Sequence, residues 1–273
     1  MSDFLDNPLV VFAVSLVAQW LAAYIGDVFH RRIRPVRQDE REDLNTVQTA
    51  ILTLLALIIG FSFSMAVTRY DQRKNYEEAE ANAIGTEYLR ADLLPAESAT
   101  NVRALLTKYL DHRISLYETS DQREISLLGA DTAKLQAELW SAISPAANAQ
   151  PTPVRALVVS GMNDVLNSQG YTQAAWWNRI PLAAWGLMGL IAIACNLLLG
   201  YGERSKRLLL LLVIPVVVSI SFLLIADIDS PRRGVIRVIP DNLISLSRSI
   251  KARQRDEAIL DQFWDFDLTD PLA

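Results

Sequence analysis

The chain has 273 residues, 51% of them apolar and 21% charged, and its formal net charge is −5. That apolar share is above the average for a soluble domain. The small net charge, with basic residues scattered or beside apolar runs, speaks against nucleic-acid binding. Cys195 stands alone, which excludes an intrachain disulfide. Two histidines, His30 and His112, and no cysteine pair leave no metal site of recognised spacing.

Four uncharged runs account for the excess of apolar residues: Asn7 to Gly26, Leu44 to Thr68, Ile180 to Gly202 and Leu208 to Ala226. Each is near the roughly 20 residues that a helix needs to cross a bilayer. The lipid bilayer is therefore the first partner implied. The flank before the first run carries Asp3 and Asp6 where a secretory signal would carry Lys or Arg. Trp20 and Tyr24 close this span with rings that suit a membrane interface. The linker from His30 to Arg41 holds Arg31, Arg32, Arg34, Arg37 and Arg41, a cluster that reads as an orientation signal or a phospholipid contact. Pro35 breaks the helix here, so spans one and two form a hairpin.

The second run turns without a break into Arg69-Tyr70-Asp71-Gln72-Arg73-Lys74. No proline falls between Asp43 and Leu94, which predicts one helix about 75 Å long at 1.5 Å per residue. Its first half fills the membrane and its second half is a stalk in water. Thr46, Thr49, Thr53, Ala56, Gly60 and Ser64 recur at spacings of three and four, so small and hydroxyl groups share one face. Such a face is either a seam for close helix packing or the wall of a polar pathway. On the stalk, Arg73 with Glu77 and Lys74 with Glu78 are spaced for i,i+4 pairs. Ala81, Ile84, Tyr88 and Ala91 form its buried face, while acid pairs such as Glu77 and Glu80 read as solvated.

Pro95 ends the stalk. Amphipathic helices are then expected over 98–117 (Val102, Leu105, Leu106, Tyr109, Ile114) and, less regularly, over 131–143 (Leu135, Leu139, Trp140). The proline-dense stretch from Ser144 to Pro153 reads as a loop. A further helix carries Val154, Leu157, Val158, Met162, Val165 and Leu166 and leads through Trp176 and Trp177 to span three. Asn196 inside span three calls for a hydrogen bond to a neighbouring helix, and Pro215 for a kink in span four. Only Glu203 to Arg207 separates those spans, so they form a second hairpin. Beyond Asp227 come an amphipathic helix with Leu243, Leu246 and Ile250 and an acidic, aromatic tail read as flexible or docked late.

The expected fold is an all-α membrane protein: four transmembrane helices in two hairpins, with a helical extramembrane bundle extending spans two and three. Its parts are a first hairpin over 1–68 (spans about 8–26 and 44–68), a bundle over 69–179, and a second hairpin over 180–226 (spans about 180–202 and 208–226). An amphipathic segment and tail occupy 227–273. No site chemistry stands out. Gly200-Tyr201-Gly202 lacks a following Lys-Ser/Thr, and there is neither a nucleophile elbow nor an HExxH. No enzyme, cofactor or metal is expected.

Three stretches carry a resemblance. Gly60-Phe61 to Val67-Thr68-Arg69-Tyr70, followed by Glu80-Ala-Asn82 through Gly85 and Tyr88-Leu89-Arg90 to Asp92, resembles the second span and stalk of the bacterial bestrophin-like domain family of unknown function. The run from Asp227 to Val238, with Pro231 and Gly234, is similar to that family's segment after its last span. The likeness reaches to about Lys251. More distantly, Gly60-Phe61 and Val67-Thr68-Arg69 stand at spacings found in the bestrophin anion channels, which are pentamers narrowed by three apolar side chains per subunit. Carried across, those positions are Thr53, Leu57 and Phe61, and Thr53 departs from the apolar pattern. Arg232 and Arg233 stand where animal bestrophins carry an acidic calcium-binding stretch, so calcium control is not implied.

The resemblance implies a homo-oligomer, a pentamer on the channel pattern, spanning the inner (plasma) membrane several times. It marks Thr53, Leu57 and Phe61 as pore-lining candidates; Ser64, on the same small-residue stripe, joins them, and Arg69 and Arg73, one or two turns further along, are charged pore-mouth candidates. It also places the bundle and both termini in the cytoplasm. The five linker arginines with Arg204, Lys206 and Arg207 favour the opposite orientation, while Arg69, Arg73, Lys74, Arg179, Arg232, Arg233 and Arg237 flank the other side in nearly equal number. Two functions stand: an oligomeric anion channel lined by span two, or a non-conducting scaffold or sensor whose bundle binds a partner or ligand.

Overall fold

A computed structural model describes residues 7–32, 40–202 and 208–268, with the side chains of 208–211, 258 and 260–268 excepted. The described residues are almost wholly helical, with no strand among them. The elements in order are α1 (Pro8–Arg32), α2 (Arg41–Arg90), a 3-10 turn (Ala91–Leu93), α3 (Ala96–Glu118), α4 (Gln122–Ala149) and α5 (Pro153–Trp177). They are followed by α6 (Leu182–Gly202), α7 (Leu208–Asp229) and α8 (Asp241–Leu268). Asp3, Asp6, Arg34, Pro35, Arg37, Glu203, Arg204, Lys206 and Arg207, on which the sequence reading leaned, lie outside the described residues.

Among the described residues four helices are long and apolar enough to cross a membrane, namely α1, α2, the stretch through α6, and α7. α2 runs unbroken for 50 residues, as expected from the absence of proline. It ends where Leu94, held extended before Pro95, cannot continue a helix.

The chain divides into two compact units, Met1–Gln72 with Trp176–Arg237, and Arg73–Ala175 with Val238–Ala273. In the first, α1 packs on α6 and α7. Gly26 and Gly200 make the first of these contacts possible. A Cβ on Gly26 would overlap the Leu197 carbonyl and stand 2.8 Å from Tyr201 N. A Cβ on Gly200 would overlap the Ala23 carbonyl. Small residues letting backbones touch are a common means of holding membrane helices, where the lipid supplies no hydrophobic drive. Beside this seam, Asn196 Nδ2 donates to Gln19 Oε1 at 3.0 Å, and Gln19 Nε2 donates to Ser219 Oγ at 3.1 Å. All three side chains are buried. Leu55, Met188, Cys195, Phe222 and Ile225 fill the surrounding core.

Where this unit's last helix ends, carboxylates organise the backbone. Asp229 accepts the Ile180 amide on both oxygens at 3.2 Å, and Arg69 Nη1 lies 3.8 Å from it. Asp227 accepts the amides of Val235 and Ile236 at 2.7 and 2.8 Å. Gly234 is required there, because a Cβ would overlap the Asp227 carbonyl. The Arg232 guanidinium stacks 4.1 Å over the Trp176 ring.

In the second unit the later part of α2 buries Ala81, Ile84 and Tyr88, and the turn after it buries Ala91, as read from the sequence. Three expectations change. The helix placed at 131–143 runs from Gln122 to Ala149, straight through Pro145 and most of the expected loop. A proline removes one helical hydrogen bond, but its neighbours Ala146, Ala147 and Ala149 are strong helix formers. Arg155 Nη1 then takes the Ala146 carbonyl at 2.7 Å near the helix end. The tail is helical to Leu268. And Glu77 is not solvated: it is buried and accepts Asn242 Nδ2 at 2.6 Å and the Leu243 amide at 2.9 Å.

Glu77 thus caps the first turn of α8 from another helix, where backbone amides would otherwise lack partners. Burial raises its pKa above the usual carboxylate value, opposed by those hydrogen bonds. Glu77→Ala is expected to free the start of α8. Hydrogen exchange at the amides from Asn242 to Leu246 should accelerate several-fold while α3 and α4 keep their protection.

Candidate functional site

A helix turns 100° per residue, so Thr53, Leu57, Phe61 and Ser64 lie within about 80° of one another on α2. All four are exposed, Leu57 by 52% and Phe61 by 64%. So are Thr46, Thr49, Ala56 and Gly60. No described helix of this chain packs on that face, so it is not a seam within the subunit. The opposite side is covered, with Leu55, Ser62 and Ala66 each 3% exposed or less. That packed side accounts for the apolar spacing, and the hydroxyl face is left open by the described residues.

The hydroxyls on this face are not free donors. Thr46, Thr49, Thr53 and Thr68 each donate to the carbonyl four residues back, at 2.8 to 2.9 Å. The single proton of each hydroxyl is thereby used inside the helix, and what faces outward is a methyl and an acceptor oxygen. The face is smooth and weakly polar.

The two charged candidates sit elsewhere. Arg69 is about 140° around the helix from Ser64, and Arg73 lies one turn further on the same side. Arg69 faces Asp229, and Arg73 is only 2% exposed. The structure therefore brings Thr53, Leu57, Phe61 and Ser64 together and places both arginines on the packed side of α2.

The bundle contains a charged cluster that reading the sequence missed. Arg113 of α3 grips Glu80 of α2 with both Nε and Nη2, and Thr172 Oγ1 of α5 lies 3.1 Å from both Glu80 Oε2 and the Ser168 carbonyl, its one proton shared between them. Arg113 and Glu80 are fully buried. Burial by itself would favour loss of the Arg113 proton, but the Glu80 carboxylate outweighs it and raises the pKa. Burial also pushes the neighbouring phenols of Tyr109 and Tyr117 up, so both stay neutral. A signal was present: Arg73, Glu80 and Glu87 repeat every seven residues, beside the apolar line of Ile84 and Ala91. All three are 2% exposed or less.

Among the described residues no group of three His, Cys, Asp or Glu side chains is placed to hold a metal. Nothing in the cluster pairs a nucleophile with a base. Its shown contacts join α2, α3 and α5 through Arg113, Glu80 and Thr172.

A family model described as "Bestrophin-like domain" matches residues 10–243. Among solved structures, the fold is similar to a tryptophan-to-alanine variant of a bacterial bestrophin homolog from Klebsiella pneumoniae. That chain is 15% identical, with a TM-score of 0.62, and the match covers 91% of this chain and 97% of that one. The structure of the same homolog solved by Zn-SAD phasing is 15% identical, with a TM-score of 0.60 and coverage of 87% and 96%. At such identity the likeness is one of fold. No curated protein matches the chain.

Proposed function

This chain belongs to the Bestrophin-like family, and from that premise we propose that it assembles as a symmetric homo-oligomer, a pentamer, around an anion pore lined by α2. The protein spans the inner membrane several times, with the bundle in the cytoplasm. One observation carries this reading: from Thr46 to Ser64 a face of α2, with Thr53, Leu57, Phe61 and Ser64 on it, is uncovered by the described residues while the reverse side is buried. Arranged in a ring, Leu57 and Phe61 form apolar collars that gate by dewetting. Arg69 and Arg73 act from behind the pore wall. A charge in a low-dielectric setting is felt over several ångströms, so they favour anions without entering the lumen, with the share of Arg69 reduced by the Asp229 carboxylate 3.8 Å from it.

The test combines an image and a current. Purified particles viewed down their axis should show a closed ring, and Leu57→Ala with Phe61→Ala should raise anion conductance in a reconstituted bilayer. Because both side chains are more than half exposed in the chain, the double variant should keep the parent's stability. A stable, assembled double variant that conducts no more than an empty bilayer removes the channel reading. The alternative, a partner-binding scaffold, draws support from an open groove of ≈ 550 Å³ between α2 and α8, lined by Asn82, Gly85, Leu246, Ser249 and Arg253.

A further inference from the structure

Within the bundle, α2 and α5 meet at a glycine. A Cβ on Gly161 would overlap Glu87 Oε2 and Arg90 Nη1, so the missing side chain is the space that Glu87 occupies. Glu87 is fully buried, and neither of its carboxyl oxygens has a hydrogen-bond partner. Arg90, one turn along the same helix, gives its Nη1 to the Leu157 carbonyl of α5 at 3.3 Å. The charged groups acting on Glu87 are therefore Arg90 from its own helix and Asp164 from α5. A carboxylate buried without a donor is strongly disfavoured, whereas a neutral carboxyl in the same notch is far less costly. Burial drives the pKa of Glu87 up to about 8, with Arg90 opposing and Asp164 adding to the rise.

We propose that Glu87 is a proton-binding site: its carboxyl is neutral while α2 and α5 are closed on Gly161, and loss of that proton loosens the seam. All the groups involved lie within the bundle, so the site does not depend on the channel reading. In the unfolded chain the same carboxyl titrates near 4.5, and in the folded bundle it keeps its proton up to about 8. Between those values the folded state holds one proton more than the unfolded state. Stability from this group is complete below the lower value, falls as pH rises, and is lost beyond the upper one.

The experiment is an infrared titration of the full chain in lipid nanodiscs between about pH 6 and about pH 9.5. The carbonyl stretch of a protonated carboxylic acid should disappear with a midpoint near 8, and Glu87→Gln should remove that component. Asp164 is exposed, so Asp164→Asn should fold normally and lower the midpoint. Hydrogen exchange around Gly161 should rise above the midpoint in the parent, beyond the ordinary base-catalysed increase, and not in Glu87→Gln. A component that survives Glu87→Gln unchanged overturns the proposal. If Glu87→Gln does not fold, a midpoint unmoved by Asp164→Asn overturns it equally.

Discussion

Changing Arg113 to methionine is expected to destabilise the bundle by about 3–5 kcal/mol, because it strands the Glu80 charge in a buried site. The forked pair between Arg113 and Glu80 is fully buried. After the change only the Thr172 hydroxyl would remain as a donor to that carboxylate. A loss of this size lowers the melting temperature by on the order of 10 °C in a domain of this size. The double variant Glu80→Leu, Arg113→Met removes both charges and should recover most of the loss, since apolar replacement of a whole buried pair is often near neutral. Thermal unfolding of the purified protein would read this cycle. A single variant that melts with the parent would mean the pair does not hold the bundle.

In the membrane unit, Gly200→Val is expected to have a comparable effect by a different route. Its side chain would meet the Ala23 carbonyl, which is backbone and cannot swing aside as a flexible side chain would. α1 and α6 must then separate, which pulls Asn196 from Gln19 as well. Overpacking of this kind costs about 1–3 kcal/mol before the hydrogen bond is counted. Gly189→Ala on the same helix is the control, since a Cβ there meets nothing within 4 Å. It should be neutral or stabilise α6 by up to about 1 kcal/mol through helix propensity. Size-exclusion profiles after stepwise heating would separate the two variants, and equal behaviour would remove the close-contact argument.

The helices were legible because hydrophobicity and proline are local signals. The uncharged run from Leu44 and the absence of proline as far as Leu94 foretold α2, and Asn196 announced its need for a partner without saying which. What stayed hidden depends on distant residues. Glu77 and Glu80 follow Arg73 and Lys74 and look like part of a solvated helix, yet their partners, Asn242 and Arg113, come from helices far along the chain. The proline of Pro145 was overweighted, because it stands among alanines that sustain a helix. For the pore candidates, spacing predicted the shared face of Thr53, Leu57 and Phe61. It equally contained the phase that turns Arg69 and Arg73 to the other side.

The Gln19 network also bears on the order in which the protein is made. Gln19 lies 177 residues before Asn196 and 200 before Ser219. At a synthesis rate of roughly 5–20 residues per second, the first span waits roughly 10–40 s in or beside the bilayer before either partner emerges. During that interval an amide faces hydrocarbon, or is sheltered by the insertion machinery, and the glycine seam has no second helix to meet. The membrane unit is thus closed late, by its C-terminal hairpin. A Gln19→Leu chain would pass through that wait without a polar burden, at the expense of the bonds that later fix its register.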